Sequence, residues 1–259
     1  MSELSKRLRR IADRVPDGAA VADIGSDHAL LPIYLVGSGK SPSAVAGELN
    51  PGPHAAAAQA VGAAGMTGRI AVRRGDGLSV LRPGEADCVT IAGMGGSLMT
   101  GILDAGDAGG RLTGVRTLVL QPNVGEELVR RWLLAHDWVL TSEDIVEEDG
   151  KIYEIMTAAR AGEDEAGLRN GELYDPSFLP LAWPQERLRE TLLSMGPWLL
   201  REPTDVFFAK WDAEIRKRER ICKRMAESVQ EDAKRKLRVM DEEIGYIREV
   251  LSCLRMDKR

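Results

Sequence analysis

This chain has too few cysteines, too widely spaced, to be held together by disulfides or zinc. Cys88, Cys222 and Cys253 form no CxxC pair, and an odd count without a framework fits a reducing, cytoplasmic compartment. The three histidines, His28, His54 and His136, lack metal-ligand spacing, so no metal is expected. No apolar run approaches the roughly 18 residues of a membrane span, so no membrane partner is expected. The opening MSELSKRLRRIADRV has the pattern of an amphipathic helix and lacks the apolar centre of a signal peptide. A GxSxG nucleophile motif is missing, and so is the GxGxxG of dinucleotide-binding loops. Overall positive charge is missing too. At a net charge of −5, any nucleic-acid contact has to come from a local basic patch.

What is present is material for a sizeable core, with 44% hydrophobic residues in 259. Up to residue 160, short apolar runs alternate with helical patterns. The runs are AAVADI (19–24), SAVAGEL (43–49), RIAVRRG (69–75), ADCVTIAG (86–93) and RTLVLQP (116–122). That alternation predicts βαβ units and a mostly parallel sheet with right-handed crossovers. The stretch 137–159 then holds two extended runs joined by Glu147-Glu148-Asp149-Gly150, which predicts a closing hairpin. Five parallel strands followed by a hairpin is the strand order of a class I methyltransferase. Residues 161–184 are polar and rich in Gly and Pro and read as a linker. From Phe207 onward an apolar stripe at three- and four-residue steps predicts long helices folded back on each other, with the turn expected over 228–232.

Five stretches carry candidate chemistry. In VADIGSDHALLP (21–32) a buried strand runs into Asp23 and Gly25, and a helix begins near Ala29. Gly25 lets the backbone approach a ligand. Asp27 stands where a pyrophosphate would be repelled, whereas a cationic, phosphate-free cofactor would be attracted. That favours S-adenosylmethionine over NAD. Helix capping by Asp27 or Ser26 is the plainer alternative. Glu48 ends the second strand, where an acidic residue typically binds ribose hydroxyls. In RRGDGL (73–78), Asp76 lies between Gly75 and Gly77 and could accept a bond from an adenine amine; an ordinary turn reads equally well. IAGMGGS (91–97) puts three glycines into four residues, which points to close approach of a ligand or to a turn, with Met94 able to pack on a base. QPN (121–123) brings two amides, Gln121 and Asn123, to the same rim. Between Arg216 and Arg238, ten basic residues face four acidic ones. Such a block suits a phosphate backbone, or else forms a solvated coiled-coil face.

In order, DIGSDHALLPIYL, GELNPGP, GDGL, IAGMGG, LVLQPN, WLLAHDW and GKIYEI resemble the bacterial tRNA (adenine-22, N1)-methyltransferase family. GPWLLRE (196–202) ahead of a helical tail is similar to that family's C-terminal part, while Leu30 and His54 stand where the family more often has aromatic residues. The resemblance implies an α/β fold with a class I methyltransferase, Rossmann-like sheet, followed by a helical, coiled-coil-like domain. It implies S-adenosyl-L-methionine as cofactor, tRNA as partner and 1-methyladenosine at position 22 as product. Carried over by position, Asp23, Gly25, Ser26, Asp27 and His28 form the cofactor's first loop. Glu48 and Leu49 lie at the ribose, Asp76 and Gly77 at the adenine end, and Ala92 and Gly93 on the rim near the methyl group. Asp27, Met94 and Asn123 are the catalytic candidates, and Arg216, Lys217, Arg220, Lys223 and Arg224 the candidates for tRNA contact. The expected division is a catalytic domain over 1–160, a linker over 161–184 and a helical domain over 185–259, in a monomer or weak oligomer. A methyltransferase for another RNA or a small molecule, or a non-catalytic binding protein, are the alternatives.

Overall fold

The computed structural model describes residues 4–226 and 231–256, with the side chains of all but 163–166 and 231–233. The chain divides into two compact units between Leu173 and Tyr174.

The first unit is one seven-stranded sheet. Its strands are β1 (Val21–Ile24), β2 (Ala44–Glu48), β3 (Ile70–Arg74), β4 (Cys88–Met94), β5 (Thr117–Pro122), β6 (Trp138–Glu148) and β7 (Lys151–Arg160), in the order β3-β2-β1-β4-β5-β7-β6. The first five are parallel; β7 runs antiparallel to β5 and to β6. All five expected runs are strands, and Asp149-Gly150 turns the hairpin, both at positive φ. β1 and β2 are buried along their whole length, as parallel strands covered on both faces must be.

Helices α1 (Lys6–Arg14), α2 (Leu30–Gly37), α3 (Pro51–Ala63), α4 (Gly96–Ala108) and α5 (Glu126–Ala135) cover the sheet, and a 3-10 turn spans Gly77–Val80. Ile11 of α1 and Val15 just after it pack with Leu31 and Leu35 of α2 onto Val21, Cys88 and Val119. Burial pushes the Cys88 thiol up to about 12, so it behaves as an apolar core group. At the other end of the sheet Arg130 of α5 is wholly buried between Glu143 and Glu154, with Nε 2.7 Å from Glu143 Oε1.

The expected linker is corrected in its first half. Glu163–Leu173 forms a helix, α6, that packs on β6. Asn170 is buried there and donates Nδ2 to the Trp138 carbonyl at 3.0 Å. The polar composition of this stretch is that of a helix with a narrow buried stripe.

The second unit holds α7 (Gln185–Met195), α8 (Pro197–Arg201), α9 (Asp205–Met225) and α10 (Glu231–Met256). Thr204 caps α9 by accepting from Phe207 N. Ion pairs Asp212–Arg255, Glu219–Arg248 and Arg218–Glu243 show α9 and α10 to be antiparallel. Phe207, Trp211, Ile215 and Cys222 are buried with Ile244, Ile247, Leu251 and Leu254, as the stripe predicts. The expected turn falls mostly on 227–230, which lie outside the described residues.

Candidate functional site

The sheet order reverses direction between β1 and β4, because β1 leads on to β2 on one side and β4 leads on to β5 on the other. In open α/β sheets, ligands bind in the crevice outside the strands' carboxyl ends at such a switch point. The candidate residues from the β1, β2, β4 and β5 ends fall along this edge.

Asp23 is buried on β1, level with Thr90 on β4. Its two oxygens accept from Ser26 Oγ and Thr90 Oγ1, each at 2.6 Å. Burial raises its pKa, and those two hydrogen bonds pull it back. Asp23 therefore anchors the loop from within, and Ser26 serves as its partner. Gly25 has φ +73 and donates its N–H to the Gly47 carbonyl at 2.9 Å. A Cβ there would lie 2.9 Å from the Met94 methyl group. Met94 thus leans back across the crevice onto Gly25, and the glycine makes room for it.

Asp27 adopts φ +52, its N–H donates to Glu48 Oε1, and its side chain is 73% exposed. His28 Nε2 stands 3.8 Å from Asp27 Oδ1. The capping alternative is corrected here. The cap of α2 is Ala29 at φ +53, with no side-chain capping bond, so neither Asp27 nor Ser26 is used that way. Glu48 is 7% exposed, and its second oxygen accepts no bond among the described residues. Leu49 beside it is exposed. Asp76 is exposed at the head of the 3-10 turn, and a Cβ at Gly77 would press on Ile102.

The rim at β4 and β5 is a closed hydrogen-bond network. Gln121 is fully buried; its Oε1 accepts from Arg7 Nη1 at 2.5 Å and Gly93 N at 3.2 Å. Its Nε2 donates to the Pro122 carbonyl at 2.9 Å and Asn123 Oδ1 at 3.1 Å. All four bonds of that amide are made, so Gln121 cannot read a base; it braces the rim. Asn123 donates Nδ2 to the Gly93 carbonyl at 2.8 Å, which leaves one amide N–H at the rim. Ala92 is half-buried and Gly93 exposed at φ +80. Of the other two glycines of the motif, only Gly96 is required by the protein's own backbone. Gly95 has an ordinary φ of −73, and a Cβ at Gly96 would lie 2.2 Å from the Gly125 carbonyl oxygen. Arg7 is the residue that sequence reasoning missed, because its partner is 114 positions away and its helix reads as an amphipathic surface element.

Three carboxylates, Asp23, Asp27 and Glu48, therefore converge on the β1 and β2 ends. The set fits a ligand with a cationic group and vicinal hydroxyls and repels a pyrophosphate. On the second unit, Arg216, Lys217, Arg220, Lys223 and Arg224 are all exposed on α9. Lys217 pairs with Glu214 at 3.2 Å, and the other four make no ion pair among the described residues. Among the described residues no group of three or more His, Cys, Asp or Glu is arranged to hold a metal, and no helix is long and apolar enough to cross a membrane.

Residues 21–249 match the family model of the tRNA (adenine(22)-N(1))-methyltransferases. The tRNA (adenine(22)-N(1))-methyltransferase of Bacillus subtilis (strain 168) is 40% identical over 250 residues, covering 96% of this chain and 97% of that protein. The crystal structure of the B. subtilis M1A22 tRNA methyltransferase superposes with a TM-score of 0.82 at 38% identity, over 96% of this chain and 98% of that one. A Streptococcus pneumoniae protein solved in complex with S-adenosyl-L-methionine gives 0.78 at 34% identity, over 96% of this chain and 100% of that one.

Proposed function

Because this chain belongs to the tRNA (adenine(22)-N(1))-methyltransferase family, we propose that the β1–β4 crevice is where it binds cofactor and presents the target base. Its reaction is the S-adenosylmethionine-dependent methylation of N1 of adenine 22 in tRNA. The observation that carries the residue assignment is the meeting of the Asp23–Glu48 carboxylate wall with the Gly93–Asn123 rim at one switch point.

S-adenosylmethionine, when bound, supplies an electrophilic methyl group on a sulfonium. The protein's part is to hold and align. Asp23 fixes the loop through Ser26 and Thr90, and the free oxygen of Glu48 accepts from ribose hydroxyls. Asp76 and Gly77 border the adenine end, with Leu49 as an apolar neighbour. Adenine N1 carries an in-ring lone pair and needs no base to become a nucleophile. Holding it in line with the methyl group therefore supplies much of the acceleration. The spare N–H of Asn123 and the half-buried Met94 sit where a flat base can be bonded and packed. Alkylation makes the ring cationic; loss of a proton from the exocyclic amine would neutralise it, but the reaction does not require it. Asp27, exposed beside His28, is the carboxylate placed to orient that amine, take its proton or hold the cofactor's ammonium.

A base buried in folded tRNA must first be exposed, at a cost of a few kcal/mol. Phosphate contacts by Arg216, Lys217, Arg220, Lys223 and Arg224 offset it. The same reading makes the enzyme a cytoplasmic monomer or weak oligomer. The test uses labelled S-adenosylmethionine with a tRNA transcript carrying adenine or guanine at position 22. Label in the adenine transcript alone is expected. Label in both refutes the position, and label in neither refutes the tRNA reading.

A further inference from the structure

We propose that Val124, at the tip of the turn between β5 and α5, is an apolar wedge that takes the place of adenine 22 in the base stack when that base enters the crevice. The proposal deepens the tRNA reading above and rests on it. A base drawn out of folded RNA leaves a gap whose flanking bases lose their stacking. Apolar side chains inserted between bases are a recurrent way to fill such a gap.

Exposed apolar side chains scattered singly need no explanation. Here they are not scattered. Eight large ones are exposed among the described residues. Five of them, Leu30, Leu49, Leu98, Val124 and Leu128, lie just beyond the carboxyl ends of β1, β2, β4 and β5. The edge of the sheet that receives ligands is therefore rimmed with apolar groups. Val124 is the most exposed of the five, at 67%, and it directly follows Asn123, whose spare N–H is left for the target base.

A wedge has to be stiff, and this one is. Asn123 N donates to the Met94 carbonyl and Gly96 N donates to the Val124 carbonyl, each at 2.8 Å. The backbone is thus fastened before and after the side chain. Gly125 then turns at φ +76 into α5, where Leu128 N donates to its carbonyl at 3.1 Å. The branched Cβ of valine restricts χ1, so little side-chain freedom is lost on insertion. An apolar residue just before a helix cap often packs on the fourth residue of the helix. That residue, Val129, is fully buried while Val124 stays exposed, so packing within the protein does not consume it. Glu126 and Glu127 follow in the first turn of α5 and repel phosphate. The tip therefore suits bases and leaves the RNA backbone to cations elsewhere.

The test places 2-aminopurine, whose fluorescence rises on unstacking, at position 22 of a tRNA transcript and adds the full chain with S-adenosylhomocysteine. The wild type should raise the signal. Val124→Ser should bind the transcript within about threefold of the wild type and lose most of that rise. On the adenine transcript its kcat/KM should fall roughly 10- to 100-fold, the range for withholding one buried valine side chain. Val124→Ile, which keeps the wedge, should stay within about threefold of the wild type. A transcript made abasic on both sides of adenine 22 has no stack to refill, and on it Val124→Ser should match the wild type. A full rise and normal turnover with Val124→Ser overturn the proposal. Equal losses on the intact and abasic transcripts also overturn it and make Val124 a brace of the rim. Methylation by the wild type without a rise overturns the wedge alone, whereas neither methylation nor a rise removes the tRNA reading itself.

Discussion

Gly96→Ala separates a glycine needed by the fold from one needed by a ligand. The added Cβ would stand 2.2 Å from the Gly125 carbonyl oxygen, 2.9 Å from its carbon and 3.2 Å from the Val124 carbonyl oxygen. Real Cβ atoms essentially never come within 3.0 Å of such atoms, so the backbone must open by about 0.8 Å. Nothing nearby gives way cheaply. Gly96 N is bonded to the Val124 carbonyl at 2.8 Å, and Gly125 is already in the left-handed region at φ +76. Overpacking of this kind costs about 1–3 kcal/mol. With about 2–4 °C lost per kcal/mol in a chain of this size, a drop in Tm of about 2–12 °C is expected by scanning calorimetry. The displaced loop begins one residue after Asn123, which bonds Gly93 and Met94 across the rim. Turnover should therefore fall by up to about 100-fold, while cofactor affinity changes little. Gly95→Ser is the control. A Cβ there meets only Val124 Cγ2 at 3.8 Å, and a serine suits the cap of α4, so stability should move by less than about 0.5 kcal/mol. A Gly96→Ala protein that melts with the wild type, or a Gly95→Ser protein that falls as far, refutes the steric argument.

Arg130→Met leaves Glu143 and Glu154 buried without their cation and should cost about 3–5 kcal/mol in urea unfolding, with Glu143→Gln and Glu154→Gln added to it restoring part. Glu85 is held down to about 2, chiefly by its paired bonds to Arg73 at 2.6 Å. A depressed carboxylate contributes stability above its unfolded value near 4.5 that fades as the pH falls toward 2. The Tm gap between wild type and Glu85→Gln should therefore be widest at neutral pH and close in acid; a constant gap refutes it. Asp27→Asn keeps the shape and removes the charge. A fall in kcat or in cofactor affinity is expected, and near-normal values of both eliminate the two charged roles. Changing Arg216, Lys217 and Arg220 to Gln should weaken tRNA binding and flatten its salt dependence by up to about three units of log–log slope. Unchanged affinity makes that stretch of α9 a solvated helix face.

The parts of this molecule legible in the sequence are those that local physics decides. β1 and β2 are apolar runs because both faces are covered, and the hairpin shows itself in Asp149-Gly150, where two residues in succession take positive φ. The first-loop residues are legible for the same reason, since Asp23 and Gly25 stand at the end of one strand and Glu48 ends the next. What local physics leaves open is which polar groups are spent on one another. Gln121 and Asn123 look equivalent in QPN, yet one has all its bonds committed inside the protein and the other keeps a donor. The glycines of GMGG look equivalent too, but Gly96 answers to the chain at Gly125, brought there by the pairing of β4 with β5. The linker fails by the same logic, for its polarity hides a helix whose single buried amide reaches back to Trp138. Arg7 is the sharpest case. Four arginines in nine residues give no local reason to choose among them, and three are consumed by Asp13 and Asp144. Only the docking of α1 on the hairpin leaves the fourth facing the switch point.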